Sequence, residues 1–201
     1  MNLEKAAEAF AQKGYKASVF SSGEEASAYL NEEIDGTSVG IGGSKTIEAL
    51  GLYETLSAHN EVYWHWKAAA GTSPEEATAQ AAGAKVYLTS ANGVSETGEM
   101  VNIDGKGNRI SESLYGHEKV YFIIGANKVM PDLQQAIDRA RNIAAPKNAQ
   151  RLSCKTPCAV KADRCYDCSS PGRICNGMVI YFGKMTSCEM EVILIDEALG
   201  Y

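Results

Sequence analysis

Apolar residues fall in short unbroken runs separated by stretches of helical periodicity, and that alternation predicts an α/β protein built on a largely parallel sheet. Residues 17–20, 38–41, 62–66, 86–89 and 120–124 are rich in β-branched and aromatic side chains and read as strands. Ser73, Pro74 and Glu76 make a capping box with proline at the first helical position, opening a helix that runs to Ala82, and Ser22 with Glu25 repeats the box. Leu133, Ile137, Ala140 and Ala144 share one helical face, and Pro146 is expected to end that helix.

Past Val86 the pattern changes. Residues 98–104 and 109–111 flank Asp104-Gly105-Lys106-Gly107-Asn108, whose Asp-Gly start is a hairpin signal, so the sheet is expected to gain an antiparallel edge. Residues 145–176 have little periodicity and read as an irregular excursion rich in cysteine; two strand-like runs follow, at 178–182 and 191–195. No repeat, low-complexity tract or linker divides the chain. The expectation is one domain over residues 1–201: an open, mostly parallel sheet flanked by helices.

At 201 residues and 45% hydrophobic content the chain can bury one sizeable core. Its formal net charge of −6 would repel a phosphate backbone, which makes nucleic acid a poor partner. The first residues are amphipathic and charged rather than signal-like, and no apolar stretch is long enough for a bilayer span; the expectation is a cytoplasmic protein without membrane insertion. In such a reducing compartment six cysteines are not expected to form structural disulfides.

Three polar, glycine-rich segments each follow a predicted strand, the place where open α/β sheets bind ligands. The first, Gly40-Ile41-Gly42-Gly43-Ser44-Lys45-Thr46, leads into a helix and can offer backbone N–H groups to a phosphate or carboxylate, although it has neither the Walker A nor the dinucleotide spacing. Its plain alternative is a tight turn with Ser44 as a helix cap. The second runs from Ser90 through Asn92 to Gly98, with Asn102, Asn108 and Arg109 beyond; Glu96 is the candidate acid, base or nucleophile and Arg109 the candidate anion clamp. Ordinary turn chemistry would also explain it. The third is Gly125-Ala126-Asn127-Lys128. The loops around Ser44, Asn92, Asn108 and Arg109 are expected to converge on one pocket that takes a small anionic metabolite.

The cysteines follow the spacing Cys154-x3-Cys158-x6-Cys165-x2-Cys168-x6-Cys175, with Cys188 further on. Cys165 and Cys168 are spaced as a chelating pair and Cys158 and Cys175 flank it symmetrically, so four thiolates could hold zinc or an iron-sulfur cluster. Buried or incidental thiols are the alternative. Lys155, Lys161, Arg164 and Arg173 lie among them and would favour thiolates. His65 reads as a strand residue and Trp64 and Trp66 as packing; no Cys-His or Ser-His-Asp arrangement supports nucleophilic hydrolysis.

At these residues the chain resembles the LUD (lactate-utilisation) domain family. Gly42-Gly43-Ser44-x-Thr46 with Leu50-Gly51-Leu52 is similar to that family's GGSxT...GL signature. The segment Gly105 to Arg109, Asn127-Lys128 and the cysteine-bearing stretches around Cys158, Cys165, Cys168 and Cys175 resemble its short, cysteine-bearing members. Ala49 stands near the place of an acidic residue of the family, so no role passes to Glu48, and Cys154 and Cys188 lie outside the pattern. The resemblance implies a fold similar to ribose-phosphate isomerases and CoA transferases. It also implies a component of L-lactate to pyruvate oxidation working with an iron-sulfur redox protein partner. Two rivals stand beside that reading: a stand-alone sugar-phosphate or CoA-ester enzyme using Glu96, and a non-catalytic module that docks a redox partner.

Overall fold

The computed structural model describes residues 1–201. In chain order its first half holds α1 (Leu3–Gln12), β1 (Lys16–Phe20), α2 (Gly23–Glu33), β2 (Ser38–Ile41), α3 (Lys45–Ala49), α4 (Leu52–Leu56), β3 (Glu61–Trp64), α5 (Pro74–Ala82), β4 (Val86–Thr89), β5 (Gly93–Ser95) and β6 (Met100–Asp104). Then come α6 (Asn108–Glu112), β7 (Lys119–Gly125), β8 (Val129–Met130), α7 (Leu133–Arg139), α8 (Ala145–Arg151), α9 (Pro157–Lys161), β9 (Gly177–Tyr181) and β10 (Glu189–Ile195).

Six strands form an all-parallel sheet in the order β1-β10-β7-β4-β2-β3. Both of its faces are covered, which is why its strands read as continuous apolar runs. Along β7, Val120, Phe122 and Ile124 enter a core shared with Phe10, while Tyr121 and Ile123 point to the opposite face and pack with Leu30 and Leu56. Gly40 sits in the middle of the β2 run because a Cβ there would lie 2.5 Å from the carbonyl oxygen of Ala81, so only glycine lets α5 press against the strand. The antiparallel strands expected past Val86 stand in a second sheet, ordered β8-β5-β6-β9, in which β5 and β8 run parallel.

Several local expectations change. Residues 109–111 are helical rather than extended, because the Asp104 carboxylate accepts from the N–H groups of Lys106 (3.1 Å) and Gly107 (2.9 Å) and turns the chain into α6. Pro146 does not stop its helix. A π-helical turn, Ala140–Ala144, joins α7 to α8 without a break, and this widened turn just before Pro146 accommodates a residue that has no N–H to give. The excursion predicted over residues 145–176 is therefore irregular mainly after α9. Ser22 caps α2 by accepting from Glu25 N–H, but Glu25 turns its carboxylate to Ser21 instead of closing the box; the Ser73 and Glu76 box is complete. No helix is long and apolar enough to cross a membrane.

Candidate functional site

Because all six strands of the large sheet are parallel, the turns after β2, β4 and β7 leave from the same edge of that sheet. They bring Gly43 and Ser44, Ser90 to Asn92, and Lys128 to one cavity of about 750 Å³. Asn108 and Arg109 of α6, Asn148 and Arg151 of α8, Arg173 and Cys175 of the cysteine segment, and Tyr201 complete its walls. The four loops expected to meet, around Ser44, Asn92, Asn108 and Arg109, thus share one pocket.

Lys128 is its most unusual group. It ends a 3₁₀ turn after β7, retains only 3% exposure, and donates from Nζ to Thr46 Oγ1 (2.7 Å) and Ser90 Oγ (2.9 Å). No carboxylate lies within ion-pair distance of it, and its charged neighbours are Arg139 and Arg109. Burial first, then those like charges, push its pKa down to about 7. Arg139 is a second buried cation, held by the backbone carbonyls of Asn127 and Asn92, and desolvation draws its pKa down to about 10.

Arg109 is oriented by a network that begins at Asn102. Asn102 is fully buried; its Nδ2 donates to the Ser90 carbonyl (3.2 Å) and its Oδ1 accepts from Asn92 N–H (3.0 Å) and Arg109 Nη1 (3.2 Å). Arg109 also donates to Asn92 Oδ1, the Ile103 carbonyl and Asp104 Oδ2. Such fixed donors suit an anion whose position must be defined.

The remaining predicted residues divide. Gly42 packs under the site, where a Cβ would meet the Tyr87 hydroxyl at 2.7 Å, and Gly43 lies against Trp66. Lys45 lines the cavity, paired with Glu48 and placed 5.4 Å over the Trp66 ring. Thr46 stands behind the wall and reaches the site through Lys128 Nζ (2.7 Å) and Ser90 Oγ (3.5 Å). Asn127 accepts from Leu199 N–H (3.1 Å) and braces the chain end instead of lining the cavity. Glu96 is displaced altogether: its carboxylate accepts from Asn2 N–H (2.8 Å) and pairs with Lys5 (3.0 Å) at the start of α1, contacts that hold its pKa low. It is a tether for the first helix and not the acid or base of this pocket.

The cysteine segment also departs from expectation. Nowhere do three or more His, Cys, Asp or Glu side chains come close enough to hold a metal ion. All six thiols are free. Cys165 Sγ takes Arg141 Nη2 (4.0 Å) and Asp167 N–H (3.3 Å), Cys158 Sγ meets Thr156 Oγ1 (3.3 Å), and Cys175 faces the cavity. Cys168 is held below the usual thiol range by hydrogen bonds from Ser170. In this arrangement the thiols of Cys158, Cys165, Cys168 and Cys175 are not gathered into a set of three or four ligands.

Residues outside the predicted binding set supply the rest. His65 and Trp66 lie beyond the end of β3 and form a wall; desolvation and the charges of Lys106 and Arg151 hold the His65 pKa down. Arg151 stacks over Trp66 at 4.9 Å and donates to the Tyr201 hydroxyl (2.9 Å). Trp66 was legible as an aromatic in an alternating run, but its register beyond Trp64 was not. Arg139 carried no signal, since an arginine in an amphipathic helix is ordinarily solvated.

A family model described as LUD domain matches residues 3–195. No curated protein matches the chain. The crystal structure of a DUF162 family protein from Deinococcus radiodurans is similar at a TM-score of 0.57 and 12% identity, with 96% of this chain and 95% of that one covered. At this identity the likeness is one of fold.

Proposed function

The chain belongs to the LUD domain family, which is associated with lactate utilisation, and from that premise we propose that it binds a small organic-acid anion, of the lactate and pyruvate class, as a component of organic-acid oxidation. The observation that carries the reading is Lys128. A buried lysine amine with two neutral hydroxyls and no carboxylate lacks the partner that would hold its charge, and a ligand carboxylate in the cavity would bind with a proton and complete an ion pair. Arg109, fixed by Asn92, Asn102, Asp104 and the Ile103 carbonyl, has one Nη1 N–H left and would supply it to the same anion. The iron-sulfur redox partner implied by the resemblance would accept electrons outside this cavity, and no step here depends on it.

Calorimetry with lactate, pyruvate, inorganic phosphate and ribose 5-phosphate tests the assignment. Lys128→Met and Arg109→Gln should each weaken carboxylate binding by at least about tenfold, the scale of one charge-assisted hydrogen bond. Binding that survives both substitutions would place the ligand elsewhere. A second reading is favoured by volume: about 750 Å³ with Trp66 on one wall exceeds the needs of a three-carbon acid and suits a larger phosphate or acyl ester. Tighter binding of ribose 5-phosphate than of pyruvate would select it.

A further inference from the structure

We propose that Ser90 is a nucleophile and Lys128 its general base, so that the cavity transfers or hydrolyses the acyl group of a carboxylic ester whose acyl part bears an anionic group. The inference rests on the cavity being the anion site. It adds chemistry that chain order conceals, because the two residues lie 38 positions apart and follow different strands.

Geometry carries the argument. Ser90 Oγ stands 2.9 Å from Lys128 Nζ, both residues line the cavity, and both are buried. A nucleophile within hydrogen-bond reach of a base that is itself oriented by a third group is the recurring arrangement of covalent catalysis, and serine with lysine is one of its forms. Thr46 is the third group. Its hydroxyl donates to the Leu199 carbonyl (3.2 Å), so toward Nζ at 2.7 Å it can only accept. A neutral amine then spends one N–H on Thr46 and keeps its lone pair for the Ser90 proton. Asn102 and Thr89 both donate to the Ser90 carbonyl, which fixes the backbone that carries the nucleophile.

Nothing nearby holds Lys128 in its charged form. The charged groups facing it are Arg139 of α7 and Arg109 of α6, both cationic, and no carboxylate pairs with it. Burial and these charges leave the amine partly neutral at pH 7 and mostly neutral above it.

The steps balance without a co-reactant other than water. Ser90 Oγ attacks the ester carbonyl carbon while its proton passes to Nζ; the bond to the leaving oxygen breaks and the ammonium returns the proton, releasing an alcohol. Water then attacks the acyl-serine and gives one proton to Nζ, which passes it to Ser90 Oγ as the acyl–oxygen bond breaks; the free acid departs and its new carboxyl gives the second water proton to solvent. Arg109 faces the anionic part of the acyl group throughout.

The experiment treats the full-length chain with p-nitrophenyl acetate and, separately, with a fluorophosphonate, and maps the adduct by peptide mass spectrometry. The expected result is modification of Ser90 at a rate that rises with pH through about 7. Ser90→Ala should abolish it, and Lys128→Met should slow it by at least about a hundredfold, the usual worth of a general base. Thermal melts establish that each variant is folded, and Thr46→Val, which removes the acceptor of Nζ together with the hydroxyl's bonds to the Leu199 carbonyl and Ser90, should give an intermediate loss. Three results would overturn the proposal: no Ser90 adduct on folded protein, a Ser90 adduct indifferent to Lys128→Met, or an adduct on Lys128 alone. Pyruvate binding by the unsubstituted protein, measured in parallel, separates the two ideas, since binding without labelling removes the nucleophile and leaves the anion pocket standing.

Discussion

At the scale of single residues the decisive feature is an ammonium buried without a counterion. Its pKa is about 7 in the folded chain against an ordinary value of 10.5, so between those two values the unfolded chain holds more protons and stability rises with pH. Below about pH 7 both states are protonated and the full cost of burying the charge is present. Lys128→Met should therefore be more stable than the parent at pH 6 to 7, by about 1–3 kcal/mol, with the gap closing toward pH 10. Urea denaturation at three pH values checks it; a destabilised variant at pH 6 would mean that Lys128 supports the fold instead of straining it. An anion that restores the charge must also take up a proton on binding, so its affinity should fall as pH rises above 7, opposite in sign to acylation of Ser90. The chain showed Lys128 as a polar strand end, but nothing in the sequence showed its burial, because that depends on the turns after β2 and β4 closing over it.

Among the elements, the large sheet and the helix-capping serines were readable, since each rests on contacts a few residues apart. The cysteine segment was not. Its spacing fits a chelate, yet Cys165 hydrogen-bonds through its N–H to Asn142 Oδ1 (3.2 Å) on the π-helical turn, and Arg173 reaches the carbonyls of Cys168 and Cys175. These contacts tie Cys165, Cys168 and Cys175 to protein groups. Treatment with EDTA or a stronger iron chelator should then leave both the melting temperature and the proteolytic pattern of this segment unchanged. Chelator-induced cleavage between Cys158 and Cys175 would show that the thiols regroup around a metal. The π turn was equally hidden: the apolar face of α7 carries through it, and only the added residue per turn sets the phase at which Asn148 and Arg151 of α8 reach the cavity.

For the molecule as a whole, charge is segregated. The chain carries a net −6, while Lys45, Lys106, Lys128, Arg109, Arg151 and Arg173 all face one cavity. Its walls come from loops of the large sheet, from α6 and α8, from the cysteine segment and from the last residues, so a bound anion joins elements distant in the chain. Ligand at about a hundredfold over its Kd should stabilise the fold by about 2.7 kcal/mol. Hydrogen exchange should slow together in residues 90–92, 104–109 and 173–176. Protection confined to a single one of these stretches would indicate a surface site and not this cavity.

By itself the sequence determined the α/β class, the strands of the large sheet, the helix starts and the polar strand ends, because apolar periodicity and capping act over a few residues. It also determined the family, whose model covers residues 3–195. Tertiary structure alone decided that Ser90, Thr46 and Lys128 meet, that Glu96 tethers α1, that the antiparallel strands form their own sheet and that the cysteines stay apart. Each of these depends on crossovers between strands distant in the chain, and the free energy that selects among such pairings lies in burial and packing over the whole core, which no local pattern encodes.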